Sequence, residues 1–280
     1  MAAVRSLIMG TLSLPDLSGD HALAAETVVA FQRDGHCAVR GLASADEVAA
    51  YRPTIEAAAF RYQRETRPLE ERDTYGKAFL QITNLWRRDE TVKRFVFARR
   101  FAKVAAELLG VPGVRLYHDQ ALFKEAGGGR TPFHQDQFYW PFDSDKTITM
   151  WMPLVDVPPE IGTMSFASGS HRLGYLGQFE ISDRSEAELG RIIDDRNIPL
   201  ETHGSLAAGD ATFHAGWTLH GAPPNPTDQL RPVMTVIYFA DGLRVAEPDQ
   251  AFQAFDLKIW LPGCQPGDLA ASEINPVLYP

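Results

Sequence analysis

The chain has 280 residues, of which 45% are hydrophobic, 10% aromatic and 22% charged, a composition typical of a globular protein with a sizeable buried core. Its formal net charge is -9 and its pI is about 5.4, so no global positive field exists to attract nucleic acid or anionic lipid. Neither nucleic acid nor a membrane surface is therefore expected as a partner.

Cysteine content and hydropathy predict the compartment. Only Cys37 and Cys264 occur, too few for a disulfide framework, and this suits a reducing compartment in which metals are also held in lower oxidation states. No apolar stretch approaches the roughly 20 residues needed to cross a bilayer. We therefore expect a cytoplasmic location and no membrane span.

The first third of the chain carries three helical patterns. The run ALAAETVVAFQRDG (22–35) has apolar residues at helical spacing and ends at Gly35, which can adopt the left-handed conformation that closes a helix. In SADEVAAYRPTIEAAAFRYQRE (44–65), Ser44 and Glu47 form a capping-box pattern before an Ala-rich run interrupted at Pro53. TVKRFVFARRFAKVAAELLG (91–110) is predicted to be one helix that ends at Gly110, with its Lys and Arg side chains on a solvated face.

After Gly113 the pattern changes to short strand-like runs separated by Gly, Pro and Asp. The runs are VRLYHDQALFKE (114–125), KTITMWMPLVDV (146–157), TMSFASGS (163–170), ETHGSL (201–206), DATFHAG (210–216) and RPVMTVIYFAD (231–241). One predicted helix, SEAELGRIIDDRN (185–197), interrupts them, with a capping pattern in Ser185 and Glu188.

Helices followed by many strands predict an α+β chain, mainly β, in which N-terminal helices buttress a two-sheet sandwich of the jelly-roll or barrel type. We expect a single domain over residues 1–280. Its helical part would cover about residues 20–110, its β core about 111–245 and a C-terminal extension 246–280.

His134 and Asp136, in RTPFHQDQFYWPF (130–142), are the first residues that suggest chemistry. Residues two apart on a strand point to the same side, so an imidazole and a carboxylate can meet at one point while Gln135 faces elsewhere. This is metal-ligand geometry. A structural histidine beside a turn aspartate would give the same triplet, so the pair alone leaves both interpretations open.

A third ligand would favour the metal site, and the candidates are His118, His171, His203, His214 and His220. His220 lies where a predicted strand ends, before a Pro/Asn loop and Arg231. Two histidines and one carboxylate on one face of a metal form the triad of non-haem Fe(II) oxygenases. A forked guanidinium such as that of Arg231 binds a carboxylate bidentately. The other four histidines are expected to be structural.

Four motifs together resemble the phytanoyl-CoA dioxygenase family, which uses Fe(II) and 2-oxoglutarate. They are TPFHQDQFYW, MWMPLVDV, GTMSFASGSHRLG and LHGAPPN followed by Arg231. The resemblance runs from about VVAFQRDGHCAVRGL to PGDLAASEINPVLYP, nearly the whole chain. It implies a double-stranded β-helix, a jelly-roll relative, in which His134, Asp136 and His220 bind iron and Arg231 holds the distal carboxylate of 2-oxoglutarate.

The resemblance also implies roles for residues around the co-substrate. Gln120 and Lys124, four apart on one face of a strand, would make polar contacts to 2-oxoglutarate, and Trp151 would pack beside it. Relatives often have a hydroxyl residue two positions after the distal histidine, where this chain has Ala222. One hydrogen bond to 2-oxoglutarate is therefore expected to be absent or supplied elsewhere.

The aromatic residues after the first two ligands are expected to wall the substrate pocket, although simple core packing is the alternative. They are Phe138, Tyr139, Trp140 and Phe142, with Leu85 and Trp86 as further candidates. With no evident basic cluster to bind coenzyme A, we expect a small to medium, partly apolar substrate, such as a secondary metabolite or a lipid-like compound.

By the resemblance, the reaction consumes O2 and converts 2-oxoglutarate to succinate and CO2 while an unactivated C–H bond is hydroxylated. Asp136 argues against the halogenating variant, in which a small residue replaces the carboxylate. Desaturation, epimerisation and ring closure stay open. So do two other classes, a cupin-like metal enzyme that does not use 2-oxoglutarate and a non-catalytic ligand-binding relative. The sequence does not predict the oligomeric state.

Overall fold

The computed structural model describes residues 14–280, which form seven α-helices and eleven strands. The helices are α1 (Ala25–Asp34), α2 (Ala45–Tyr62), α3 (Thr74–Ala78), α4 (Glu90–Val96), α5 (Arg99–Leu109), α6 (Asp183–Asp195) and α7 (Ala251–Trp260). The strands are β1 (His36–Val39), β2 (Leu80–Thr83), β3 (Val114–Lys124), β4 (Thr131–His134), β5 (Thr147–Pro153), β6 (Ser165–Ala167), β7 (Leu200–Thr202), β8 (Ala211–Ala215), β9 (His220–Ala222), β10 (Arg231–Ala240) and β11 (Val277–Tyr279).

Two antiparallel sheets form the β core. The larger sheet has the order β1, β8, β5, β10, β3, β11, and β2 also pairs with β3. The smaller sheet has the order β4, β9, β6, β7. The arrangement agrees with the two-sheet sandwich that the sequence predicts. None of the helices within residues 14–280 is long and apolar enough to span a bilayer.

The larger sheet is covered on both faces, which is why β5 and β10 are buried along their whole length. On the outer face, Met150, Phe213 and Met234 share one apolar cluster with Ile55 of α2 and Phe101 of α5. The residues between them in the strands point the other way, towards the smaller sheet. The helices therefore pack on the outer face of the larger sheet, and the inner face is available to form a site.

The predicted helix over residues 91–110 is wrong, because the structure divides this segment into α4 and α5 at Phe97 and Ala98. Asp89 caps α4 by accepting hydrogen bonds from the amides of Thr91 and Val92. In one continuous helix, Phe95 and Phe101 would point about 120° apart. The break instead lets both rings enter the core, where they pack edge to face with centroids 5.3 Å apart.

Three further boundaries differ from the sequence predictions. Helix α6 begins two residues early, because Ser182 and Ser185 form the reciprocal cap that we assigned to Ser185 and Glu188. The predicted helical part contains strands β1 and β2, which pair with β8 and β3. The predicted C-terminal extension contains β11, which pairs with β3, and α7, so it is integral to the core. The single domain over residues 1–280 stays a prediction.

Removing the cap of α2 should destabilise the fold measurably. The Ser44 hydroxyl accepts from the amide of Glu47 at 3.1 Å, and Glu47 accepts from the Ser44 amide at 2.8 Å and pairs with Arg100 at 2.9 Å. We expect Ser44→Ala to lower the free energy of unfolding in urea by about 1 kcal/mol. The control Ser205→Ala, at an exposed position, should change it by less than about 0.5 kcal/mol. Equal effects would contradict the capping role.

Candidate active site

A cavity of about 790 Å³ opens on the inner face of the larger sheet. Strands β3, β5, β8 and β10 contribute Gln120, Thr149, Trp151, His214, Arg231 and Thr235 to its lining. The smaller sheet contributes His134 and His220, and helices α3 and α7 contribute further lining residues. Its size is that of a site for a small molecule.

His134, Asp136 and His220 meet at one point of the cavity, where three of their ligand atoms lie within 4.8 Å of one another. His134 and His220 are directly opposite in the pairing of β4 with β9, and their ring centroids are 4.1 Å apart. Asp136 follows in a 3-10 turn rather than on the strand itself. Gln135 between them is extended and its side chain binds the carbonyls of Gly174 and Trp217, so it faces away as predicted.

Each of the two imidazoles is oriented by a hydrogen bond at one ring nitrogen, which leaves the other nitrogen available as a ligand. Nδ1 of His134 is 2.8 Å from the carbonyl oxygen of Pro132, and Nδ1 of His220 is 2.9 Å from that of Thr218. Since a carbonyl only accepts, each Nδ1 carries the ring proton and each Nε2 presents its lone pair. These Nε2 atoms lie 3.6 and 3.8 Å from Oδ1 of Asp136.

Asp136 is held by its other oxygen. Oδ2 accepts hydrogen bonds from the hydroxyl of Thr149 at 2.8 Å and from Nε2 of His214 at 3.1 Å, which leaves Oδ1 for the shared point. Burial alone would raise the pKa of Asp136, but the surrounding histidines His220, His134 and His214 hold it well below its usual range. Burial also holds the pKa of His220 well below its usual range. An ionised carboxylate and neutral imidazoles are the states in which these groups bind metals.

His214 is a site residue that the sequence analysis missed, since we expected it to be structural. It is 1% exposed and faces inward from β8, directly opposite Thr149 of β5. The alternation of DATFHAG places His214 on the inner face of a strand, but only the pairing with β5 shows that this face meets Asp136. The other predicted structural histidines differ: His118 lines the cavity, whereas His203 bonds His36 at 3.0 Å and, like His171, lies outside it.

Arg231 is buried in the cavity wall at the start of β10, with 2% of its surface exposed. Its Nη1 donates to the carbonyl of Gly162, and its guanidinium lies over the Trp151 ring at 5.2 Å from the centroid. Burial lowers the pKa of Arg231 to about 9, so the group keeps its charge at neutral pH. No carboxylate within residues 14–280 forms an ion pair with it. An anionic ligand would supply the missing charge.

The sequence profile of the phytanoyl-CoA dioxygenase (PhyH) family matches residues 31–233, more than half of the chain. The chain belongs to the phytanoyl-CoA dioxygenase family. This confirms the family that the four motifs indicate and the predicted enzyme class, an iron- and 2-oxoglutarate-dependent oxygenase.

Relatives within this class have several activities. A methylphosphonate hydroxylase of Gimesia maris is 26% identical over 149 residues, which cover 53% of this chain and 54% of that enzyme, so the chain matches only about half of its length. The solved structure of SnoK, an alpha-ketoglutarate-dependent carbocyclase of nogalamycin biosynthesis, has a TM-score of 0.75 and 25% identity over 92% of this chain and 99% of SnoK. The epimerase SnoN in complex with Fe3+, alpha ketoglutarate and nogalamycin RO has a TM-score of 0.73 and 27% identity over 90% of this chain and 97% of SnoN. The predicted double-stranded β-helix class, with its flanking helices, is confirmed.

Of the three residues that the family resemblance places around 2-oxoglutarate, two line the cavity and one does not. Gln120 and Trp151 line the cavity. Lys124 lies opposite Arg231 in the pairing of β3 with β10, but it is outside the cavity lining. It is fully buried, and its Nζ donates to the carbonyl of Gly129 and lies 3.4 Å from the hydroxyl of Thr131. Lys124 therefore supports the loop before β4, and its direct contact with 2-oxoglutarate stays a prediction.

The predicted aromatic wall is only partly present. Tyr139 and Trp140 line the cavity. Phe138 does not, because the 3-10 turn directs its ring towards Phe252 and Tyr175, at centroid distances of 5.9 and 6.5 Å.

Three more aromatic-wall candidates lie in apolar clusters outside the cavity lining. Phe142 packs against Phe239 with ring centroids 4.7 Å apart. Leu85 is fully buried in the cluster beneath the helices, and Trp86 lies at its edge against Phe97. The carboxylate of Asp119 accepts from the amides of Leu85 and Trp86, which fixes that turn on the helical side of the sheet. These three residues therefore pack outside the cavity lining, and their contact with a substrate stays a prediction.

Proposed function

We propose that His134, Asp136 and His220 bind Fe(II) through two Nε2 atoms and one carboxylate oxygen. The observation that carries this proposal is that three ligand atoms lie within 4.8 Å of one another. Each group is oriented by a hydrogen bond to its second polar atom, which is Nδ1 in the two imidazoles and Oδ2 in the carboxylate. Two imidazoles and one carboxylate match the ligand set of non-haem Fe(II) oxygenases. When bound there, iron with 2-oxoglutarate and O2 supplies the oxidising chemistry, and succinate and CO2 are released.

In this proposal, Arg231 binds the distal carboxylate of 2-oxoglutarate. The support is a charged guanidinium, 2% exposed, that lines the same cavity without a carboxylate partner in the described chain. Gln120 and Trp151 would border the co-substrate from the inner face of the larger sheet. The hydroxyl that Ala222 lacks would come from Thr131, which lies directly opposite Ala222 in the pairing of β4 with β9 and also lines the cavity.

The reaction we propose is oxidation of a C–H bond, by hydroxylation, in a small to medium and partly apolar molecule. A volume of about 790 Å³ is enough for 2-oxoglutarate and such a substrate. Tyr139 and Trp140 contribute apolar surface to the lining and exclude water from the reacting centre. Two free cysteines, Cys37 and Cys264, support the proposed cytoplasmic location.

His214 and Thr149 are proposed to position the carboxylate ligand. Since both donate to Oδ2 of Asp136, their removal should leave the ligands present but less well oriented. We expect Thr149→Val and His214→Gln each to weaken Fe(II) affinity by about tenfold to a hundredfold. Competition with a chelator of known affinity measures this. Thr212→Val, which removes a neighbouring buried hydroxyl that has no hydrogen-bond partner in the described chain, is the control and should bind iron normally. Unchanged affinity in both test variants would overturn the positioning role.

Succinate formation separates the proposal from the metal enzyme that does not use 2-oxoglutarate. The protein is incubated with Fe(II), 2-oxoglutarate and O2, and succinate is measured with and without His134→Ala. Slow succinate release that depends on His134 supports the proposal, even before a substrate is known. Stoichiometric iron without succinate release, and without binding of 2-oxoglutarate, would support the other metal enzyme instead.

A further inference from the structure

One face of α7 forms part of the cavity lining. Phe252, Asp256 and Trp260 are spaced four residues apart, so they lie in one row along the helix, and all three line the cavity. Tyr139 packs edge-on against Phe252 with ring centroids 5.5 Å apart, and His118 packs against Trp260 at 4.8 Å. The carboxyl of Asp256 is therefore set in a wall of rings.

Asp256 is a buried carboxyl without a cationic partner among the described residues. It is 8% exposed, and none of the ion pairs within residues 14–280 includes it. Burial raises the pKa of Asp256 to about 7, although hydrogen bonds from Tyr117 and Trp260 act in the opposite direction. His118 supplies no charge, because burial lowers its pKa to about 4. A bound cation would recover the free energy that this isolated carboxylate costs.

The other charged residues of the cavity lining are mostly acidic. Apart from Asp136 and Arg231, the charged residues of the lining are Asp73, Glu180, Asp183, Arg184 and Asp256. In this part of the lining four carboxyl groups outnumber one guanidinium, and the excess favours a cation over an anion there. An anionic substrate, such as the methylphosphonate in the name of the Gimesia maris relative, does not suit this lining.

We propose that the α7 wall recognises an organic cation, so that the substrate carries an amine placed against Asp256. The proposal rests on the proposed function, because the cavity would present this substrate to the metal site. The rings of Phe252, Tyr139 and Trp260 attract a cation through their faces, and the carboxylate accepts its hydrogen bonds. Phe252 and Phe255, which are 38% and 58% exposed, would be covered by the apolar part of the same molecule.

Three probes of equal length test this preference: phenylpropylamine, phenylpropanol and phenylpropanoate. Binding is followed by the fluorescence of the tryptophans in the cavity wall, at about pH 8, where the amine is charged and Asp256 is ionised. We expect the amine to bind at least about tenfold more tightly than the alcohol, and the carboxylate to bind most weakly. Asp256→Asn should bring the amine and the alcohol to nearly equal affinity. Glu247→Gln, an exposed position outside the cavity lining with the same change of charge, should leave the ratio as it is.

The outcomes separate this inference from the proposed function. Equal binding of the amine and the alcohol to the unaltered protein would overturn the amine site. This result does not depend on the folding of any variant. An unchanged ratio in Asp256→Asn would overturn the role of that carboxyl. Because the titrations are made both without iron and in the anaerobic Fe(II) and 2-oxoglutarate complex, failure of the metal site appears separately, as absence of the complex itself.

Discussion

Replacing His220 with Ala is expected to abolish stoichiometric iron binding and to lower succinate formation by about a thousandfold or more, since a metal contributes several kcal/mol to such a reaction. His220 supplies one of the three ligand atoms that lie within 4.8 Å of one another, so its loss leaves only His134 and Asp136 to hold Fe(II). Iron per chain after anaerobic loading and succinate release are measured on the same samples.

The matched control is His21→Ala, which removes a histidine outside the cavity lining and should leave both quantities unchanged. Melting temperatures of both variants show whether the fold is kept, because His220 is buried between the two sheets. Full iron occupancy in His220→Ala would mean that the metal is bound elsewhere.

Exchanging Arg231 for Lys should raise the KM for 2-oxoglutarate by about a hundredfold and leave the affinity for Fe(II) unchanged. A lysine keeps the charge but loses the fork that holds a carboxylate by two hydrogen bonds. It also loses the stacking of the guanidinium over Trp151. The measurements are succinate release at varied 2-oxoglutarate and the iron content of each sample.

Arg184→Lys, the same exchange at the mouth of the cavity, is the control and should leave the KM for 2-oxoglutarate unchanged. An unaltered KM in Arg231→Lys would assign the co-substrate carboxylate to another group. Lys124, which lies opposite Arg231 in the strand pairing, would then be the next residue to test. Loss of iron together with 2-oxoglutarate would instead indicate general collapse of the site.

The sequence was sufficient to predict that residues from several short motifs would lie together. His134 and Asp136 are two apart, and His220 and Arg231 follow in the order that the family shows. These four residues do line one cavity. The two-sheet class could also be predicted, because side chains along strands such as β5 and β10 alternate between the face covered by helices and the inner face.

Residues that depend on long-range pairing were not readable. His214 contacts Asp136 although 78 residues separate them, and Asp256 bonds Tyr117 across 139 residues. Local sequence does not predict which strand or helix will pack opposite a given residue. Phe138 shows the converse error, since it is adjacent to wall residues in sequence but a 3-10 turn directs it out of the cavity.

Helix boundaries failed for a related reason. The apolar spacing of residues 91–110 is helical on both sides of Phe97, so nothing local marks the break between α4 and α5. The break is set by packing, since Phe95 and Phe101 are both buried in the core cluster and pack against each other. The substrate poses a similar difficulty, because its recognition would come from α7, which the sequence analysis placed in a C-terminal extension.

The most direct test of the account is anaerobic titration of the protein with Fe(II) and then 2-oxoglutarate, observed in the visible range for the weak metal-to-ligand charge-transfer band of the chelated co-substrate. We expect a band that saturates at one equivalent of each, is absent in His134→Ala and requires much more 2-oxoglutarate in Arg231→Ala. No band in the unaltered, iron-loaded protein would contradict the proposed site.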